Sequence, residues 1–202
     1  MRGQGCSSSA ERPRIGNLFI VSGPSGAGKG TLVKALAERV PDLWVSVSVT
    51  TRPPRAGEIE GHHYEFISGD EFDALVREGG LLEWAEVHGN RYGTRRAAVE
   101  RRIAEGRQVV LEIDPQGAFQ VRDIMPCSVL LFIKPPTMED LKSRLRKRGS
   151  ENEEQLAVRM RTAERELELV GEYDHVVIND DVARAADELA GIIDSYAERQ
   201  ES

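Results

Sequence analysis

The 202-residue chain has only two cysteines, Cys6 and Cys127. One pair so far apart is no disulfide framework, and it fits a reducing, cytoplasmic compartment. No apolar run approaches the ~20 residues that span a bilayer, so no membrane association is expected. The first residues lack the hydrophobic stretch of a secretory signal, and residues 1–14, small and polar, read as a disordered tail. Basic excess is missing too. The net charge of −7 argues against broad nucleic-acid binding, so an anion site would have to be built locally from clustered arginines. No internal repeat is visible, and no Ser–His or Cys–His pairing suggests a nucleophile. The adjacent His62 and His63 have no cysteine near them and are expected to point to opposite sides of a strand, which excludes a shared metal.

What is present centres on Leu18–Ser22, a short apolar run, followed by Gly23-Pro24-Ser25-Gly26-Ala27-Gly28-Lys29-Gly30-Thr31 and then a helical pattern through Leu32, Leu36 and Val40. This is the strand–loop–helix setting of a phosphate-binding loop. Its glycines let backbone N–H groups converge on an anion at a helix N-terminus, and Lys29 can reach a β- or γ-phosphate.

Val45–Thr50 alternates strictly between valine and hydroxyl residues, which predicts one half-buried strand. In the following Arg52-Pro53-Pro54-Arg55, two guanidiniums on a stiff extended segment can converge on one phosphate. Ser68 and Glu71 form a capping box for a helix from Phe72 to about Glu78, closed by Gly79-Gly80. Glu83 lies in an apolar run and so wants a partner. Gly89–Thr94 reads as a turn, with Thr94 capping a helix to Glu105. Val109–Asp114 predicts a buried strand ending in Glu112 and Asp114, where open α/β sheets bind ligands.

A helix is expected from Pro115 to just before Pro126, a third strand at Ser128–Ile133, and a helix capped by Thr137 carrying Lys142, Arg144, Arg146, Lys147 and Arg148. Ser150 and Glu153 form a second capping box, opening a helix to about Val170. On it, Arg161 and Arg165 have acids at i+3, whereas Arg159 has none at helical spacing. A strand at Val176–Ile178, a loop at Asn179–Asp181 and an amphipathic helix from Val182 to about Glu198 complete the chain. This alternation predicts an α/β fold with a parallel, doubly wound sheet flanked by helices.

Together these stretches resemble the guanylate kinases over nearly all of residues 15–198. The matching segments are residues 23–29, Ser48–Arg55 with Gly57-Glu58, Tyr64 and Phe66, and Glu83-Trp84. They continue with Gly89-Asn90, Tyr92-Gly93, Ile113-Asp114 with Gln116-Gly117, and Asn179–Asp181. The resemblance implies a P-loop core (15–45, 100–134 and 163–202), a small mixed α+β GMP-binding insertion (46–99) and a short helical lid (135–162). It implies transfer of the γ-phosphoryl of ATP to GMP, with dGMP as a further acceptor and a place in purine nucleotide metabolism.

ATP would lie on Gly23, Pro24, Ser25, Gly26, Ala27, Gly28, Lys29, Gly30 and Thr31, with Asn179 near its adenine. Arg52, Arg55, Tyr64 and Tyr92 would hold the GMP phosphate, while Ser48, Glu83 and Thr94 would read the guanine, with Asp114 nearby. Lys29 and Arg52 with the lid arginines Arg144, Arg148 and Arg159 would carry catalysis. Some relatives share Gly-Lys-Gly-Thr, but Gly30 stands where the usual pattern has a hydroxyl. Mg²⁺ is therefore expected mainly on the ATP phosphates, with Thr31 the candidate side chain. Asp often stands in the family where this chain has Glu112.

The chemistry agrees, because an ionised acceptor phosphate needs alignment and charge neutralisation and no general base. Two other readings are a kinase of another nucleoside monophosphate (AMP, dTMP) and a non-catalytic, phosphopeptide-binding module of the same fold. Against the first, Glu83 suits the N1–H and N2–H₂ donors of guanine. Against the second, a scaffold has no use for Lys29 and the lid arginines.

Overall fold

Leu18, Phe19, Ile20 and Val21 are all buried because both faces of their strand are covered, and this explains why the segment reads as a continuous apolar run. In the computed structural model, which describes residues 15–87, 89–147 and 153–198, this strand, β1 (Asn17–Ser22), lies at the centre of a five-stranded parallel sheet. Its neighbours are β7 (Gln108–Glu112) and β8 (Val129–Lys134), and β2 (Leu43–Val45) and β9 (His175–Ile178) form the edges, giving the order β2-β7-β1-β8-β9. Alternate residues serve opposite cores. Phe19, Val21, Leu131 and Ile133 pack against Leu32, Val33 and Leu36 of α1 (Lys29–Ala37) and Ala185, Leu189 and Ile193 of α7 (Val182–Ala197). Leu18, Ile20, Leu130 and Phe132 pack on the other side with Val99 of α3 (Arg96–Ala104) and Ala118 and Val121 of α4 (Pro115–Ile124).

A second sheet, β4-β3-β6-β5, is built from β3 (Val49–Thr50), β4 (Glu65–Phe66), β5 (Leu81–Val87) and β6 (Asn90–Arg95). Pairing of β3 with β4 is parallel, while β6 runs antiparallel to both β3 and β5. Helix α2 (Gly69–Arg77) carries the expected reciprocal capping box of Ser68 and Glu71. Helices α5 (Met138–Lys147) and α6 (Glu153–Glu168) pack through Leu141, Leu145, Leu156 and Ala163, and a short 3₁₀ turn, Leu169–Glu172, follows α6.

Several sequence expectations are corrected. The single strand predicted over Val45–Thr50 is two strands in different sheets, because the chain leaves β7 after the Ser46 N–H donates to the Val110 carbonyl (2.9 Å). Gly89–Thr94 holds strand β6 beyond its tight turn, and Thr94 caps nothing. α3 has Arg95 at its N-cap with no side-chain cap. His62 and His63 sit side by side in a turn, rings 4.9 Å apart, and His63 Nδ1 accepts the Ile59 N–H. Among the described residues no ion pair joins Arg161 to Glu164 or Arg165 to Glu168. The tail 1–14 with Cys6, Arg148 and the Ser150 cap lie outside the described residues.

Candidate functional site

β1 delivers the chain into the glycine-rich loop at the C-terminal end of the parallel sheet, and α1 begins at Lys29. The loop can bend only because its glycines carry no side chain. Gly28 has φ +90°, and a Cβ there would lie 2.5 Å from Asn179 Nδ2. One on Gly23, at φ +135°, would lie 2.3 Å from the Ile133 carbonyl oxygen. The Lys29 ammonium folds back on the loop and donates to the Gly23 and Pro24 carbonyls.

Three segments remote in sequence close over this loop. Asn179, just beyond β9 and buried, donates to the Ala27 carbonyl (2.7 Å). Arg144 of α5 donates to the same carbonyl (3.2 Å) and to the Asn179 carbonyl (2.8 Å). Arg159 of α6 reaches Ser25 Oγ at 3.5 Å. Residues 25, 27, 144, 159 and 179 are thus gathered at one place. Thr31 is exposed in the first turn of α1.

A cleft of ≈ 250 Å³ opens beside the loop, lined by Ser48, Tyr64, Glu83, Tyr92, Glu112 and Asp114, with Ala85, Val87 and Ile113 as its apolar part. At its floor lies the Glu83 carboxylate, 6 % exposed, which accepts a 2.6 Å hydrogen bond from the Thr94 hydroxyl across the β5–β6 ladder. Burial pushes the Glu83 pKa up to about 7, and the negative charge of Asp114 adds to this, while the Thr94 hydrogen bond works the other way. Among the described residues no arginine pairs with Glu83, since Arg91 pairs with Asp73 and Arg95 with Glu65. Asp114 also has a structural task as N-cap of α4, accepting the Gly117 N–H at 2.8 Å.

Behind Tyr64 of the cleft lining, Arg52 is buried against the rings of Tyr64 and Phe66, 5.4 and 5.8 Å from their centroids. Its guanidinium is engaged bidentately by Glu58, at 3.0 and 2.8 Å. That hydrogen bond, followed by one from the Arg55 N–H, lowers the Glu58 pKa to about 2. Arg52 and Arg55 therefore do converge, but on an internal carboxylate, and the Arg55 side chain stays exposed. Tyr64 and Tyr92 stand edge to face, 5.9 Å apart.

Two contributors were missed by sequence reasoning. Gln120 of α4 pairs with the backbone of Trp84, its Oε1 accepting the N–H (3.2 Å) and its Nε2 donating to the carbonyl (3.3 Å). Glu166 of α6 is half-buried and faces Lys29 and Asp114, and burial raises its pKa. A glutamine on a helix and one acid among many on another carry no local signal. Both matter only through what the fold brings beside them.

A family model described as guanylate kinase matches residues 15–196. The chain is 51 % identical over 178 residues to a guanylate kinase of Desulfitobacterium hafniense, covering 88 % of this chain and 89 % of that one. It is 52 % identical over 175 residues to one of Synechococcus sp., covering 87 % and 92 %. Among solved structures, a guanylate kinase from Anaplasma phagocytophilum superposes with a TM-score of 0.76 at 34 % identity, covering 93 % of this chain and 89 % of that one.

Proposed function

The chain belongs to the guanylate kinase family, and on that premise we propose that it transfers the γ-phosphoryl of ATP to GMP, giving ADP and GDP. ATP would occupy the loop at residues 23–31, held by its backbone N–H groups and by Lys29, beneath Arg144, Arg159 and Asn179. GMP would occupy the cleft, with guanine on Glu83, Thr94 and Ser48 and the phosphate near Arg52, Arg55, Tyr64 and Tyr92. Residues 46–99 then act as the acceptor segment and 135–162 as a lid that excludes water on closing. The low cysteine content supports a cytoplasmic setting and the product a place in purine nucleotide metabolism. Among the described residues no helix is long and apolar enough to cross a membrane.

Among the described residues no group of three or more histidines, cysteines or acids could hold a metal ion. That fits Mg²⁺, which keeps waters and binds chiefly through substrate phosphates. Thr31, exposed beside the loop, is a hydroxyl that would face it. When bound, the ion neutralises phosphate charge. The protein's part is alignment, since the acceptor phosphate is already ionised near neutral pH.

The observation that carries the acceptor assignment is the buried Glu83–Thr94 pair at the floor of the cleft. A carboxylate offers only acceptors, and guanine presents two adjacent donors. ADP formation, followed by a coupled assay with GMP, dGMP, AMP and dTMP in turn, tests this. GMP should be used well, dGMP measurably, and AMP and dTMP very poorly. Equal use of AMP would overturn the assignment, and binding of GMP without turnover would favour the phosphopeptide-module alternative.

A further inference from the structure

Helix α4 opens with Pro115, Gln116 and Gly117, and the glycine is buried. Glycine is less favourable than alanine in a helix, and the usual reason for choosing it does not apply here. The Gly117 backbone lies outside the left-handed region, and its N–H makes an ordinary capping bond to Asp114 Oδ1 at 2.8 Å. A neighbour excludes the side chain instead. A Cβ built on Gly117 would lie 2.8 Å from Oε2 and 3.4 Å from Cδ of Glu83, and 3.3 Å from Cδ1 of Ile113. At the first of these distances something has to move.

The atom that would move ends a side chain, so the cost falls on the carboxylate and leaves the helix intact. That carboxylate is otherwise fixed. Oε1 accepts the Thr94 hydroxyl at 2.6 Å, and Oε2 fills the space that a side chain at position 117 would take. One turn along α4, Gln120 bonds both backbone groups of Trp84, which holds β5 against the helix. Pairing with two adjacent donors needs both carboxylate oxygens in one set plane. We propose that Gly117 is a positioning residue for the choice of acceptor. Its missing side chain keeps open the seat of Glu83 Oε2 and so sets the plane in which the carboxylate meets guanine. This rests on the reading of Glu83 as the guanine-binding acid.

The test is a double-mutant cycle on the full chain, comparing native protein with Gly117→Ala, Glu83→Ala and the double variant. For each, KM for GMP and ATP, kcat/KM for GMP and AMP, and a thermal melt are measured. Gly117→Ala should raise the KM for GMP by roughly tenfold to a hundredfold, the scale of a small misplacement in a site. The KM for ATP should not change, and the GMP-to-AMP ratio of kcat/KM should narrow. With Glu83→Ala already present, Gly117→Ala should alter the KM for GMP by less than about twofold, because the atom it displaces is gone. An unchanged KM for GMP and acceptor ratio in Gly117→Ala would overturn the proposal. So would an equal rise in both Michaelis constants, or the same loss in the Glu83→Ala background, since either would mean a general distortion of α4. If Gly117→Ala does not fold, the double variant must, and failure of both to fold would also overturn it. A native chain with no preference for GMP over AMP would instead remove the guanine-site reading, and this proposal with it.

Discussion

Burial withdraws water from the Glu83 carboxylate without supplying a cation, and its proton is held up to about pH 7. A pKa raised on folding contributes stability that is complete below the ordinary value of 4.5 and lost as pH rises through about 7. Glu83→Gln removes that loss, since its amide oxygen still accepts from Thr94. The variant's melting temperature should therefore exceed the native one above neutrality, by an amount equivalent to about 3 kcal/mol at most, and the gap should close towards pH 4.5. Catalysis should move the other way. GMP use should drop while the penalty on AMP shrinks, because the new NH₂ can donate to adenine N1. Measuring kcat/KM for both acceptors alongside pH-dependent melts checks both effects, and an unchanged acceptor ratio would remove Glu83 from the guanine site. Lys29→Ala, the loss of one charged donor at the loop, should lower turnover by about 10² or more. Turnover within a few-fold of native would argue against the loop's role.

At the scale of elements, β5 carries Glu83 yet lies at the open edge of the second sheet. Gln120 of α4 completes that edge by pairing with both backbone groups of Trp84, as a neighbouring strand would. One turn earlier, a Cβ on Gly117 would lie 2.8 Å from Glu83 Oε2, so the same helix face fixes two successive residues of β5. Gln120→Met keeps volume and loses both hydrogen bonds, each worth about 1 kcal/mol net. The KM for GMP should rise by roughly tenfold, with the KM for ATP unchanged. A lowered melting temperature with unaltered KM for GMP would reduce Gln120 to a purely structural contact.

At the scale of the molecule, two sets of arginines come from different parts of the fold. Arg52 belongs to the second sheet's connections, and Arg144 and Arg159 to α5 and α6 beside the parallel sheet's loop. Arg52→Ala should raise the KM for GMP far more than that for ATP. Arg144→Ala should act chiefly on turnover, with some rise in the KM for ATP because Arg144 also braces Ala27 and Asn179. Steady-state kinetics varying each substrate distinguishes these, and equal effects of Arg52→Ala on both constants would contradict the two-set arrangement.

The parallel core was legible because its central strands are buried on both faces and its loop is a contiguous motif. Both signals are local, written in runs such as Leu18–Ser22 and Gly23–Thr31, and the capping box at Ser68–Glu71 belongs with them. The second sheet was less legible. Val45–Thr50 alternates without a break, although the chain changes sheets inside it, and Thr94 looks like a cap until β5 lies across from it. Sequence alone determined which side chains were available for phosphate and guanine. Only the tertiary structure decided that Arg52 rests on Glu58, that Glu83 is buried with Thr94 as its hydrogen-bond donor, and that Glu112 stands against Gly30. Each of those facts depends on residues brought together from distant segments or across a turn, and on the water excluded between them, which no spacing along the chain records.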